Sequence, residues 1–210
     1  MTLPELTLAC QEICPDRPFT HPDHTLEDIA VLRGIARQVR ACLLQTSTPA
    51  RLLRGAGLEG RPQRLVLCAP AALRAARGLT VVGFFGQRRP AADPRPMDQV
   101  DEALVEEFAQ HPHILAYCSQ ELPTGQWGNL VLLANPEAGQ AWRGSERHRR
   151  AVETLAPVYY AAVRLHNAEL PDGLLAGAEL LLHRTKYYDY DGEPWRAVRD
   201  QVPALRWTLR

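Results

Sequence analysis

The stretch LVLLA at residues 130–134 offers no polar position on either side of an extended chain. Successive side chains of a strand point to opposite faces, so a strand that is apolar at every step has to be buried from both sides. Leu180, Leu181 and Leu182 repeat the demand. Any fold for this chain therefore needs a sheet with a covering layer on each face. Burying one Leu or Val side chain is worth about 1.5–3 kcal/mol, and leaving several in water would be costly.

The flanking pattern supplies the other elements. LTVVGFFGQRR, from residue 79, reads as a strand ended by the proline-rich RRPAADPRP. A helix is expected from Met97, with Val100, Ala103, Leu104 and Phe108 as its apolar stripe and Asp98, Asp101, Glu102, Glu106 and Glu107 largely toward water. ILAYCSQEL and WGNLVLLA read as an antiparallel pair joined by PTGQ. Asn135 and Pro136 suit a helix start that makes a single turn, Gly144 releases it, and Ser145 caps the second long helix, SERHRRAVETLA. In VYYAAVRLHNAEL a helical start passes into an extended end, where Val163 and Leu165 alternate with Arg164 and His166. AELLLHRTKYYDY is the expected last strand, stopped by DGEPW.

Strand, helix, strand, strand, helix, strand predicts an α+β domain over residues 63–192 with a ferredoxin-like βαββαβ fold and a four-stranded antiparallel sheet. Within it, RLVLCAP adds a short strand. Ahead of it, residues 1–62 read as an N-terminal helical arm. Its main helix, 25–45, repeats Ile29, Leu32, Ile35, Ala36, Val39 and Leu43 on one face, and Thr25-x-x-Asp28 reads as its cap. Residues 193–210 form a C-terminal tail in which Trp195 and Trp207 interleave with arginines, a pattern shared by single-strand binders but here expected to be a docked helix. The helices cover one sheet face. Either the arm or a second subunit must cover the other.

Composition restricts the function. Twenty-four basic residues balance twenty-four acidic ones, which removes the broad positive field that nucleic acid or an anionic membrane would need. No apolar stretch reaches the length of a membrane span, and the opening MTLPELTLACQEICPDRP lacks the basic start of a secretory signal. A cytoplasmic protein is expected. Five cysteines without repeated spacing argue against a disulfide framework. Cys10 and Cys14, followed by His21 and His24, have near-zinc spacing, but the histidines are one residue too close; Leu6, Cys10, Ile13 and Cys14 fit one apolar helical face better. G-x-S-x-G, a glycine-rich phosphate loop and H-E-x-x-H do not occur.

The element order over residues 79–190, with Trp142, Ser145 and His148 leading the second helix, resembles the dimeric α/β-barrel superfamily, especially its antibiotic-biosynthesis-type monooxygenase domains. That resemblance implies a homodimer joined through sheet faces and a small apolar or aromatic, polyketide-like ligand held between helices and sheet. It also implies an oxygenase that needs no cofactor. On this basis Tyr117, Trp127, Asn129, Trp142, His148, His183 and Tyr187 are the candidate substrate-binding residues, although they span both faces of their strands. A haem-degrading branch places its iron ligand where this chain has Val152 and an asparagine where it has only Gln87, so haem would have to bind through His148.

Each residue also has a structural reading. Trp142 packs a short helix on the sheet, Ser145 caps, and His183 is a satisfied strand histidine. Arg164, His166, His183, Arg184 and Lys186 either form a basic pocket for a carboxylate or phosphate, or pair with Glu169 and Glu179. Three functions follow: a ligand-binding oxygenase, a non-catalytic interaction or sensor protein, and a haem-binding protein.

Overall fold

The computed structural model describes residues 5–46, 52–57, 60–93, 95–108, 111–176 and 179–208. Among these residues nine strands form one sheet: β1 (Glu5–Thr7), β2 (Leu52–Ala56), β3 (Pro62–Leu67), β4 (Leu79–Arg88), β5 (Ile114–Glu121), β6 (Trp127–Leu133), β7 (Tyr160–Leu170), β8 (Glu179–Asp189) and β9 (Trp195–Thr208). Their order is β1-β9-β8-β7-β4-β6-β5-β3-β2, antiparallel except for β1 beside β9. The helices are α1 (Pro22–Gln45), α2 (Pro70–Ala75), α3 (Arg95–Phe108), α4 (Pro136–Arg143), α5 (Glu146–Arg150) and α6 (Ala156–Tyr159).

This overturns the four-stranded ferredoxin-like sheet and the dimeric α/β-barrel architecture expected from sequence. The first three expected strands are present as β4, β5 and β6, but the place beside β4 belongs to β7 rather than to residues 179–189. The alternation around Val163 and Leu165 makes β7 an eleven-residue strand, and its helical start ends at Tyr159. Residues 179–189 pair one place further out as β8. The tail is a strand, β9, not a docked helix, and it continues the sheet to β1. At the opposite end β3 and β2 extend it past β5. The single turn expected after Asn135 is also longer, an eight-residue helix.

Two layers bury the apolar strands, as LVLLA requires. On one face Ile29, Leu32, Ile35, Ala36, Val39 and Leu43 of α1 form a core with Val81 and Phe85 of β4, Leu130 and Leu132 of β6, and Leu65 and Leu67 of β3. The arm, not a second subunit, thus covers the free face of these strands. On the other face Phe108 of α3 with Ala138 and Trp142 of α4 packs on Val66, Ile114, Tyr117 and Leu133. Leu180 and Leu182 join the α1 core, which explains the second apolar run.

α1 lies across the strands. Asp28, near its start, reaches Arg164 and His166 on β7, whereas Gln38, ten residues on, meets Gln63 on β3. A 24-residue helix is about 36 Å long, and the eight gaps between nine strands span about 38 Å. α1 therefore crosses the sheet from β7 to β3. Among the described residues no helix is long and apolar enough to cross a membrane.

Gly83 sets how closely α1 approaches. A Cβ there would lie 2.5 Å from Leu32 Cδ1, inside van der Waals contact. Gly83→Ala is expected to destabilise the protein by about 1–3 kcal/mol through overpacking. Denaturant unfolding checks this, and an unchanged midpoint would show that α1 is not seated on β4.

Candidate functional site

The helix side of the sheet gathers five of the seven candidate residues. Asn135 caps α4 by accepting from the Ala138 amide at 2.9 Å, and Pro136 opens the helix where no amide is needed. Ser145 caps α5 by accepting from the His148 amide at 3.3 Å. A π turn over Ala151–Leu155 then carries the helix to α6. These caps aim Trp142 and His148 at the same place, with their rings 5.5 Å apart. Trp142 also meets Phe108 at 4.7 Å and His111 at 5.8 Å, and Phe108 stacks on Tyr117 at 4.7 Å. Burial, reinforced by the positive charge of Arg143, lowers the His148 pKa, so its ring is neutral at pH 7.

Trp127 and Asn129 share this face, because strand register alternates the sides. One row of partners runs Arg54, Arg64, Ser119, Asn129, Phe84, Leu165 and Lys186 across seven strands. Beside it, Tyr117, Val131 and Val82 belong to the apolar cluster under α3 and α4. On the other side the Arg64 guanidinium lies 5.2 Å above the Trp127 ring, and Tyr160 meets Phe84 edge-on at 5.4 Å. Ser119 is 2% exposed, yet among the described residues its hydroxyl has no hydrogen-bond partner, and neither has Asn129 Oδ1. A buried polar group left unpaired costs about 1–3 kcal/mol. Two such atoms on register partners mark this row as unfinished. Asn129 was among the sequence candidates and Ser119 was not: counting back from a PTGQ turn would pair Ser119 with Leu130, whereas the turn closes one residue earlier, with Leu122 bonded to Gln126, and that sets Ser119 opposite Asn129.

The remaining two candidates lie elsewhere. His183 is half-exposed at an irregularity in β8, 3.3 Å from Glu169 Oε1. Tyr187 is fully buried on the α1 face, where its hydroxyl accepts from Arg199 at 2.7 Å. Arg199 donates also to the carbonyls of Ala9, Glu12 and Thr20, fastening the segment before α1 to β9.

Next to Tyr187 the expected basic pocket is already filled from within. Arg164 forms a two-pronged pair with Asp28 at 2.6 and 2.9 Å, and His166 bridges Asp28 at 2.9 Å to the Thr185 hydroxyl at 3.0 Å. Arg184 pairs with Asp200 instead of Glu179. Asp28 is therefore no cap. α1 begins earlier, at Pro22, where His21 Nδ1 accepts from the Asp23 amide at 3.2 Å, and Asp28 points inward. Burial alone would raise the Asp28 pKa, but hydrogen bonds from His166 and Arg164 outweigh it and hold the carboxyl below its usual range.

The four residues weighed as zinc ligands do not converge. The Cys10 thiol reaches Gln201 at 3.3 Å, Cys14 packs beside Leu8 and Tyr187, His21 caps α1, and His24 pairs with Glu27. Among the described residues no group of three or more His, Cys, Asp or Glu could hold a metal ion. The His148 ring lies against Trp142, and Arg143, Arg147, Arg149 and Arg150 are exposed residues of the same stretch.

No family model matches the chain, and no curated protein matches it. A solved structure described as "Crystal structure of aldoxime dehydratase" aligns with 68% of this chain at 15% identity and a TM-score of 0.28. The chain spans 39% of that protein's chain. A likeness at this score carries no argument about fold or chemistry.

Because its pKa is lowered on folding, Asp28 stabilises the fold fully above the unfolded aspartate value of about 3.9. That contribution fades as pH falls through the lower, folded value. Asp28→Asn leaves Arg164 buried without its carboxylate, and a loss of about 3–5 kcal/mol at pH 7 is expected. Urea midpoints against pH should show wild type losing stability below about pH 4 while the variant's curve is flatter. Parallel curves would show that Asp28 does not hold this charge.

Proposed function

We propose that the chain is a small-molecule-binding protein of the cytoplasm, with its site on the helix side of the sheet at Ser119, Asn129 and Trp127. The observation that carries this is the pair of unpartnered buried atoms, Ser119 Oγ and Asn129 Oδ1, on adjacent strands. A ligand group bonded to them would recover the desolvation cost that the free protein bears. The half-exposed Trp127 and Arg64 stand at the rim, and the Tyr117, Phe108 and Trp142 rings close the inner end.

The same packing favours binding or sensing over turnover. Tyr117 is 3% exposed and stacked on Phe108, so the space that a substrate would need beside Trp142 and His148 is occupied by the protein's own rings. Five free thiols suit a reducing compartment.

Thermal unfolding with 4-hydroxybenzoate, 4-hydroxybenzyl alcohol and indole tests the reading. At least one compound should raise the wild-type midpoint, by about 2–4 °C per kcal/mol of binding. Ser119→Ala and Asn129→Leu should unfold no earlier than wild type, since each removes an unpaired polar group, yet should lose the ligand shift. Failure of all three compounds, or retention of the shift in both variants, would overturn the site.

A further inference from the structure

Resting on the site proposed above, we infer what its ligand presents there: one uncharged group, a hydroxyl or a primary carboxamide, that accepts a hydrogen bond from Ser119 and donates one to Asn129. Ser119 and Asn129 are direct register partners on β5 and β6. Facing residues of an antiparallel pair have Cα atoms about 4.5–5.5 Å apart, which brings a serine hydroxyl and a carboxamide oxygen within reach of each other. The two groups are also complementary, since the hydroxyl carries a hydrogen and Asn129 Oδ1 is purely an acceptor. The obvious internal bond is nevertheless not made, and among the described residues neither buried atom has another partner. Each is left to bond a group that comes between them.

Only some chemistry satisfies both ends. A carboxylate brings no hydrogen for Asn129 Oδ1. An ammonium can donate to both oxygens but leaves the Ser119 hydrogen unspent, and it would meet the positive charge of Arg64, the partner of Ser119 on β3. That guanidinium already lies 5.2 Å above the Trp127 ring, so neither it nor the indole face beneath it is counted as part of the ligand's seat. An ether or a tertiary amide accepts but cannot donate. A hydroxyl does both through one atom, and a primary carboxamide does both through its oxygen and its nitrogen. Beyond Asn129 the row continues with Phe84, half-buried and met edge-on by Tyr160, an apolar neighbour for the body of such a molecule. The ligand class is therefore a phenol or an aromatic carboxamide.

Titration calorimetry with matched compounds tests the assignment: phenol against anisole, benzamide against N,N-dimethylbenzamide, and benzoate and benzylamine as charged controls. Phenol, benzamide or both should bind about tenfold or more tightly than the methylated counterpart, because a site that hydrogen-bonds a ligand's hydroxyl or amide rejects the analogue lacking it. The added methyl groups carry extra apolar surface, so apolar burial alone would give the opposite order. Ser119→Ala and Asn129→Leu should each bring phenol and benzamide down to the level of their methylated counterparts. The wild-type comparison decides the class even where a variant folds poorly. Methylated compounds that bind as tightly as their parents, benzoate or benzylamine binding more tightly than phenol and benzamide, or binding of indole with neither of them, would overturn the relay and leave the site standing. Failure of every compound, indole included, to bind wild type would leave the two atoms to water and remove the site and this inference together.

Discussion

β6 is the strand on which the fold turns. With apolar residues at consecutive positions it cannot lie at a surface, so whatever surrounds it has to form two layers. The chain meets that requirement with its own N-terminal region on one side and its crossover helices on the other. The need that pointed to a partner sheet is therefore satisfied within one chain. Leu32 reaches the sheet at Gly83, where the absent side chain leaves room for it, and the close fit of α1 follows from that single vacancy.

Apolar packing does not fix where along the sheet α1 lies, because Leu, Ile and Val contacts are non-directional. Direction comes from the buried pair. Asp28 meets Arg164 and His166 with defined geometry and pins one end of α1 over β7, while the apolar stripe follows toward β3. Such a pair adds little net stability once desolvation is counted, but a slip in register would leave charges buried without partners. The helix side has the opposite character. Its apolar cluster is complete, and the adjoining polar row is not.

The sequence revealed this architecture unevenly, for physical reasons. Elements made by local pattern were legible: the α1 stripe, β4 to β6 with their hairpin, and the Asn135 and Ser145 caps. The two-layer demand of LVLLA was legible as well, and it named the arm as one of two possible covers. Partnerships between distant residues were not. Asp28 and His166 lie 138 positions apart, and nothing local shows that the helix begins at Pro22, which puts Asp28 in its second turn and facing inward rather than at its cap. β1 is three exposed residues paired, among the described residues, with β9 alone, so its extended form is set by the sheet edge rather than by its own sequence. The resemblance to dimeric α/β barrels rested on element order, which leaves open how many strands follow. Of the candidate residues, Tyr117, Trp127, Asn129, Trp142 and His148 share one face, whereas His183 and Tyr187 are separated from them by a register that only pairing defines.

The placement of β1 bears on how the protein is made. Its partner strand, β9, follows the other described elements, and Arg199 on that strand grips the carbonyls of residues 9, 12 and 20. During synthesis β1 thus leaves the ribosome long before the strand with which it pairs. Until residue 199 emerges, the opening segment has no clamp and the β8 flank carries the bare edge. The interior strands and α1 can assemble before then, which makes closure of this margin a late event in folding.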